Sequence, residues 1–160
     1  MAVDYFLKLD GVDGESTDDK HKGEIDIESF SWGASNTGSA AMGGGSGSGK
    51  VSHGDFHFVK KFDKASPTLF IGCATGQHFK KATLTCRKAG GGQQEYLKVN
   101  FEGVLISSWQ TVGSAESTIP SDQFTFNFAA MEVSYKPQAA DGTLGGEVKQ
   151  KYDFAMNKKV

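Results

Sequence analysis

Three groups of residues have the types and spacing that chemistry would need. The first is Gly44 to Lys50, read GGSGSGK, which matches most of the phosphate-cradling pattern GxxxxGK. That pattern needs a Ser or Thr after the lysine to hold a metal, and a helix whose N-terminus faces the phosphates. Val51 stands at the first position and strand-like alternation follows it, so the match fails on both counts. The second group is His53, Asp55 and His57, at alternate positions of one strand face. Residues two apart on a strand are separated by roughly 6 to 7 Å, which splays their side chains. A zinc site would need a further ligand, and His21 and His78 offer only loop positions. An exposed or interface strand face is the better reading. The third group is Cys73 and Cys86, both inside apolar patterns; they read as small buried hydrophobes and are too few for a disulfide scaffold. No GxSxG, CxxC or HExxH occurs, and the carboxylates are scattered. The sequence nominates no catalytic residue, no metal site and no cofactor.

The chain that carries these groups has 160 residues, enough for one domain with one real core. A net charge of -2 gives no field towards nucleic acid or an anionic membrane. Lys60, Lys61 and Lys64 form a small basic cluster, but Asp63 divides it. The start, MAVDYFLKLDG, lacks a basic region and a long apolar run, so no cleaved secretory signal is expected. No stretch is long and apolar enough for membrane insertion as a helix. The 21 glycines have no period and imply turns, bulges or close backbone approach.

The alternation predicts an all-β fold with one short helix. Val3, Tyr5, Leu7 and Leu9 define a first strand, followed by a solvated loop over Gly11 to Gly23. Glu24 to Ser35 is a second strand whose apolar phase switches near Glu28 and Ser29, from Ile25 and Ile27 to Phe30 and Trp32. A phase switch implies a bulge or a move between sheets. Ser29, Ser31 and Gly33 then form a small polar face, either plainly exposed or walling a cavity or channel. A third strand sets Phe56, Phe58 and Phe62 on one face and turns Phe56 and Phe58 inward. Ser66 suits an N-cap, Pro67 a first helical position, and Gly76 the end of a helix over Thr68 to Thr75. Strands follow over Ala82 to Arg87, Glu95 to about Thr111, and Phe124 to Tyr135. The second of these switches phase at Gly103; the third switches to Met131, Val133 and Tyr135. A last strand carries Val148, Gln150, Tyr152, Phe154 and Met156. Long bent strands are how a barrel of two sheets is built.

Gly43 to Gly49 contains only Gly and Ser and costs much backbone entropy to order. It either moves over a ligand, as the lid of a monomeric binding barrel, or is ordered by something outside the chain.

The stretches MAVDYFLKLDGVDGES, GEIDIESFSWGAS, MGGGSGSGKV, FDKASPTLF, ATLTCRKAGG, EYLKVNFEGVLISS and FTFNFAAMEVSYKPQAADG together resemble the haemolysin-coregulated protein (Hcp) family of the type VI secretion system. They cover nearly the whole chain in order. The resemblance implies a small β-barrel of two sheets with one flanking helix. It implies a homohexameric ring that stacks into a tube inside a contractile sheath, capped by a spike protein. It implies effectors carried in the lumen, and export from the cytoplasm without a cleaved signal. Residues 1–160 are expected to be a single tube domain with no C-terminal effector extension. In this reading the loop is ordered against neighbouring copies, and Met42, Gly43, Gly44, Gly45, Gly47, Gly49, Lys50, Val51, His53, Asp55 and His57 are candidate interface residues. Ser31 is the candidate lumen residue that touches effectors. The family is structural, so no enzyme activity is implied.

Overall fold

A computed structural model describes residues 3–36, 51–88 and 92–160. The elements in chain order are β1 (Val3–Leu9), β2 (Ile25–Ile27), β3 (Ser29–Ser31), β4 (Ala34–Asn36), β5 (Val51–His53), β6 (Phe56–Lys61), α1 (Ser66–Thr75), β7 (His78–Lys88), β8 (Glu95–Val112), β9 (Ser121–Tyr135), β10 (Val148–Asp153) and β11 (Lys158–Lys159). Among the described residues, most are strand and there is one short helix, as the alternation predicts.

The main sheet runs β11-β10-β9-β8-β7-β1-β2, with β6 also pairing β9 and β3 pairing β6. The sheet is curled but its ladder does not close strand on strand. The two open sides are bridged by one stretch of chain: β2 pairs β1, β3 pairs β6, and the Glu28 N–H between them donates to the Val59 carbonyl at 2.8 Å. The phase switch expected at Glu28 and Ser29 is therefore a change of partner strand. β4 and β5 form a separate two-stranded ribbon.

β8 and β9 pair over almost their whole length. β8 buries Val99 and Phe101, then Val104 and Ile106. The change of face falls on Gly103, at φ 63°, where an added Cβ would lie 3.1 Å from the Ala129 Cβ. Both facts call for glycine. Phe56, Phe58, Phe101, Phe124, Phe126 and Phe128 fill the interior, with ring centroids of contacting pairs 4.8 to 6.3 Å apart. Offset and edge-to-face rings at that separation supply packing beyond their area burial. These rings form one contiguous buried cluster inside the curl.

Four expectations are corrected. Phe62 is 38 % exposed, and Lys60 takes the inward place beside Phe58, because β6 ends at Lys61 and the chain turns away. Lys60 is thus no part of a surface basic cluster. Val133 and Tyr135 remain exposed, because no second layer formed by the described residues covers the end of β9 beside β10. The Gly11 to Gly23 loop is not simply solvated: Val12, Ser16 and His21 are buried. Gly14 packs so closely on Glu24 that a Cβ would lie 2.3 Å from its carbonyl oxygen. Ser66 does not cap the helix; α1 has no side-chain cap, and Gly76 closes it in the left-handed conformation.

Ser66 instead joins a buried polar pin. The Lys60 ammonium donates to Asp63 Oδ1 at 2.8 Å, to Ser66 Oγ at 2.7 Å and to Asp122 Oδ2 at 3.0 Å. Ser66 in turn donates to Asp122. These contacts tie β6, the start of α1 and β9 together with side chains that are almost wholly out of water. Removing one member of a buried pair strands the other without solvation. Lys60→Met should therefore destabilise the fold by about 3–5 kcal/mol, read as a lower urea midpoint. A midpoint unchanged from the parent would mean that the pin contributes nothing.

Candidate functional site

The first candidate surface is the outer face of the sheet formed by β3, β6, β9 and the second half of β8. Residues directly opposite on paired strands share a face. Ser31 pairs with His57, His57 with Thr125, and Thr125 with Ser108. One row is therefore polar across four strands. Ser107 and Ser108 both reach Thr125 Oγ1, at 2.7 and 2.5 Å. They can do so because the β8–β9 register shifts between Ile106 and Ser108. The next row carries Ser29, Val59, Gln123 and Gln110. Asn127 donates to Asp55 Oδ1 at 3.0 Å and continues the pattern. Hydroxyl and amide groups dominate, and opposite charges are few. Such a surface hydrogen-bonds water or a passing polypeptide without gripping one charge type.

Ser31 lies exposed on β3, opposite half-buried Phe30, where the phase switch puts it. His53, Asp55 and His57 are not on one continuous face. The strand breaks at Gly54, whose N–H donates to the Gly33 carbonyl at 3.1 Å and whose carbonyl accepts from the Trp32 indole at 2.9 Å. His53 consequently packs its ring against Phe154, with centroids 4.1 Å apart, and against Phe128 at 5.2 Å. Asp55 and His57 join the polar face. Met42, Gly43, Gly44, Gly45, Gly47, Gly49 and Lys50 lie outside the described residues. Among the described residues, no three His, Cys, Asp or Glu side chains gather as a metal ion would need.

The second surface is an open apolar groove of about 380 Å³ at the foot of the β4–β5 ribbon. Trp32, Val51, Met131, Val133, Tyr152 and Phe154 line it, with Lys151 and Lys159 beside them. Among its described lining residues, Val51 is the only one that sequence reasoning nominated for an interface.

A third group was not brought together by sequence reasoning, which met His21 only as a loop residue. The Arg87 guanidinium donates to Asp4 at 3.0 Å and to Asp18 at 3.0 and 2.6 Å, and lies 4.8 Å from the Phe6 ring centre. His21 stacks against Phe6, its two ring nitrogens 2.8 and 2.7 Å from Glu24 and Glu95. These contacts fasten the Gly11 to Gly23 loop onto β1, β7 and β8. The hydrogen bonds from Arg87 hold the Asp18 carboxyl well below the usual carboxylate range. Asp26 is displaced the other way, first by burial and then by repulsion from Asp63, Asp4, Asp18 and Glu15. Burial pushes the Cys86 thiol up to about 12, which suits an inert core residue.

With this geometry described, the chain can be placed among known proteins. Residues 6–135 match the family model described as "Type VI secretion system effector, Hcp". The chain is 46% identical over 159 residues to Protein hcp1 of Pseudomonas aeruginosa, spanning 98% of each chain. A solved type six secretion system protein superposes with a TM-score of 0.93 at 33% identity, covering 99% of this chain and 100% of that one. The crystal structure of Hcp1 from Salmonella typhimurium gives 0.84 at 37% identity and covers both chains fully. The fold and these likenesses define a protein of the type VI secretion system. The chain belongs to the Hcp family.

The Asp18–Arg87 tie has a pH signature. A carboxylate whose folded-state pKa is depressed stabilises the fold above its unfolded value of about 4 and loses that contribution as pH falls below it. Asp18→Asn should lower the thermal midpoint at neutral pH, and the gap to the parent should close as pH drops below about 4. A gap that stays constant down to the most acid point would remove Asp18 from this role.

Proposed function

We propose that the chain is the structural subunit of the type VI secretion inner tube, closing as a homohexameric ring whose rings stack. The ring carries effectors against its inner wall, and the tube is exported with its spike inside a contractile sheath. The polar face around Ser31, His57 and Thr125 supports this reading most. A conduit for varied polypeptides needs a wall that neither traps apolar segments nor selects one charge. The wall's rigidity comes from the aromatic interior directly behind it. That packed interior also speaks against a monomeric barrel holding a ligand inside its curl. Ser31 is the effector-contacting residue in this account, with His57 and Thr125 beside it.

Purified protein should therefore show a hexamer mass and annular particles by negative-stain microscopy. A single monomer mass across a wide concentration range would contradict the proposal. Ser31→Gln should leave the ring intact and weaken effector retention in co-purification; retention equal to the parent's would take Ser31 out of the effector contact.

A further inference from the structure

A ring built by rotation joins unlike faces, so each copy must present two complementary surfaces. We infer that the apolar groove beside β10 and β11 receives the acidic face around Phe62 of the next copy, an inference that rests on the ring reading above.

The groove has an apolar floor formed by Trp32, Met131, Val133, Tyr152 and Phe154, and Lys151 and Lys159 beside it. Lys158 and Lys159 form the short edge strand β11, and neither has an ion-pair partner among the described residues. Lys151 is itself paired with Glu102 at 2.9 Å, so this side of the molecule is apolar in the middle, with the uncompensated positive charge of Lys158 and Lys159 at one margin.

The opposite sign lies at the other end of β9. Ser121 pairs with Lys61 there, and the Phe62 N–H donates to the Pro120 carbonyl at 2.8 Å. Met131 lies ten positions further along the same strand, roughly 30 Å away at full extension. The two faces are thus well apart on one copy, as a head-to-tail joint needs. Phe62, 38 % exposed, lines with Ile27 a cleft of about 520 Å³ whose other lining residues include Glu15, Asp26, Glu28 and Asp63. Among the described residues, Lys61 is the one cation lining it. Asp63 is engaged by Lys60, whereas Glu15, Asp26 and Glu28 have no ion-pair partner among the described residues. The Asp26 carboxyl is displaced upward first by burial and only then by repulsion from neighbouring carboxylates, Asp63 and Glu15 of this cleft among them. An exposed phenylalanine ringed by carboxylates complements an apolar groove edged by lysines. The aromatic group provides area, and the charges select orientation and register.

The test uses the full chain and reads the protomer concentration at half-assembly by mass photometry or sedimentation. Asp26→Lys with Glu28→Lys should raise that concentration on the order of tenfold. Lys158→Glu with Lys159→Glu should do the same, and all four changes together should restore assembly towards the parent value. Circular dichroism melts establish that each variant folds. For any that does not, two other measurements decide. Parent assembly should weaken as sodium chloride rises, and Phe62→Ser should weaken it at constant salt. Assembly by the reversed variants at the parent's concentration would overturn the inference while leaving the ring intact. So would failure of the four-fold variant to recover, or parent assembly indifferent to both salt and Phe62→Ser. A parent protein that forms no ring at all would instead overturn the reading on which the inference rests.

Discussion

The bend in the β8–β9 pair governs the rest of the molecule. Two strands of this length cannot bury one face throughout without extending past the core. The pair resolves this at Gly103, where a positive φ and the close approach of Ala129 let the apolar phase change sides. Before the bend the pair packs Val99 and Phe101; after it, Val104, Ile106 and Phe126. Beyond the bend Thr125 and Asn127 face outward, and the register shift between Ile106 and Ser108 brings Ser107 and Ser108 to the same side. The aromatic core and the polar wall are therefore two sides of one piece of backbone geometry.

The wall stays in place because its edges are fastened. The Lys60 pin holds β6 to β9 and to the start of α1. At the far side, Arg87 and His21 clamp the loop after β1. Both devices are buried or half-buried polar clusters whose members come from distant parts of the chain. Such clusters are costly if half-made, so they favour one arrangement of the strands over its alternatives.

Much of this was legible in the alternation of apolar residues. The strands, the single helix with its Pro67 entry and Gly76 exit, and the phase switches at Glu28 and Gly103 all follow from local pattern. Ser31 could be assigned to a polar face because its neighbours Phe30 and Trp32 are large and apolar. The parts that were not legible depend on partners far away in sequence. Nothing near Lys60 says that Asp122 will meet it, so it reads as a surface lysine. Nothing near Arg87 announces Asp4 and Asp18. His53 has the same alternation as His57, but the break at Gly54 turns its ring towards Phe154. Val133 and Tyr135 carry the apolar signal of a core strand, and only the layer arrangement leaves them exposed. Apolar residues left outside the core by an otherwise regular strand are the kind of surface that protein contacts use.

The central claim is that the face bearing Ser31 and Thr125 lines an enclosed channel formed by copies of the chain, and chemical access measures this directly. In a Cys73→Ser background, Thr125→Cys should react in the assembled particle with a small maleimide and be protected from a maleimide carried on a large folded protein. If the bulky reagent labels that position as readily in the assembled particle as in the dissociated subunit, the polar face is on the outside and the account is wrong.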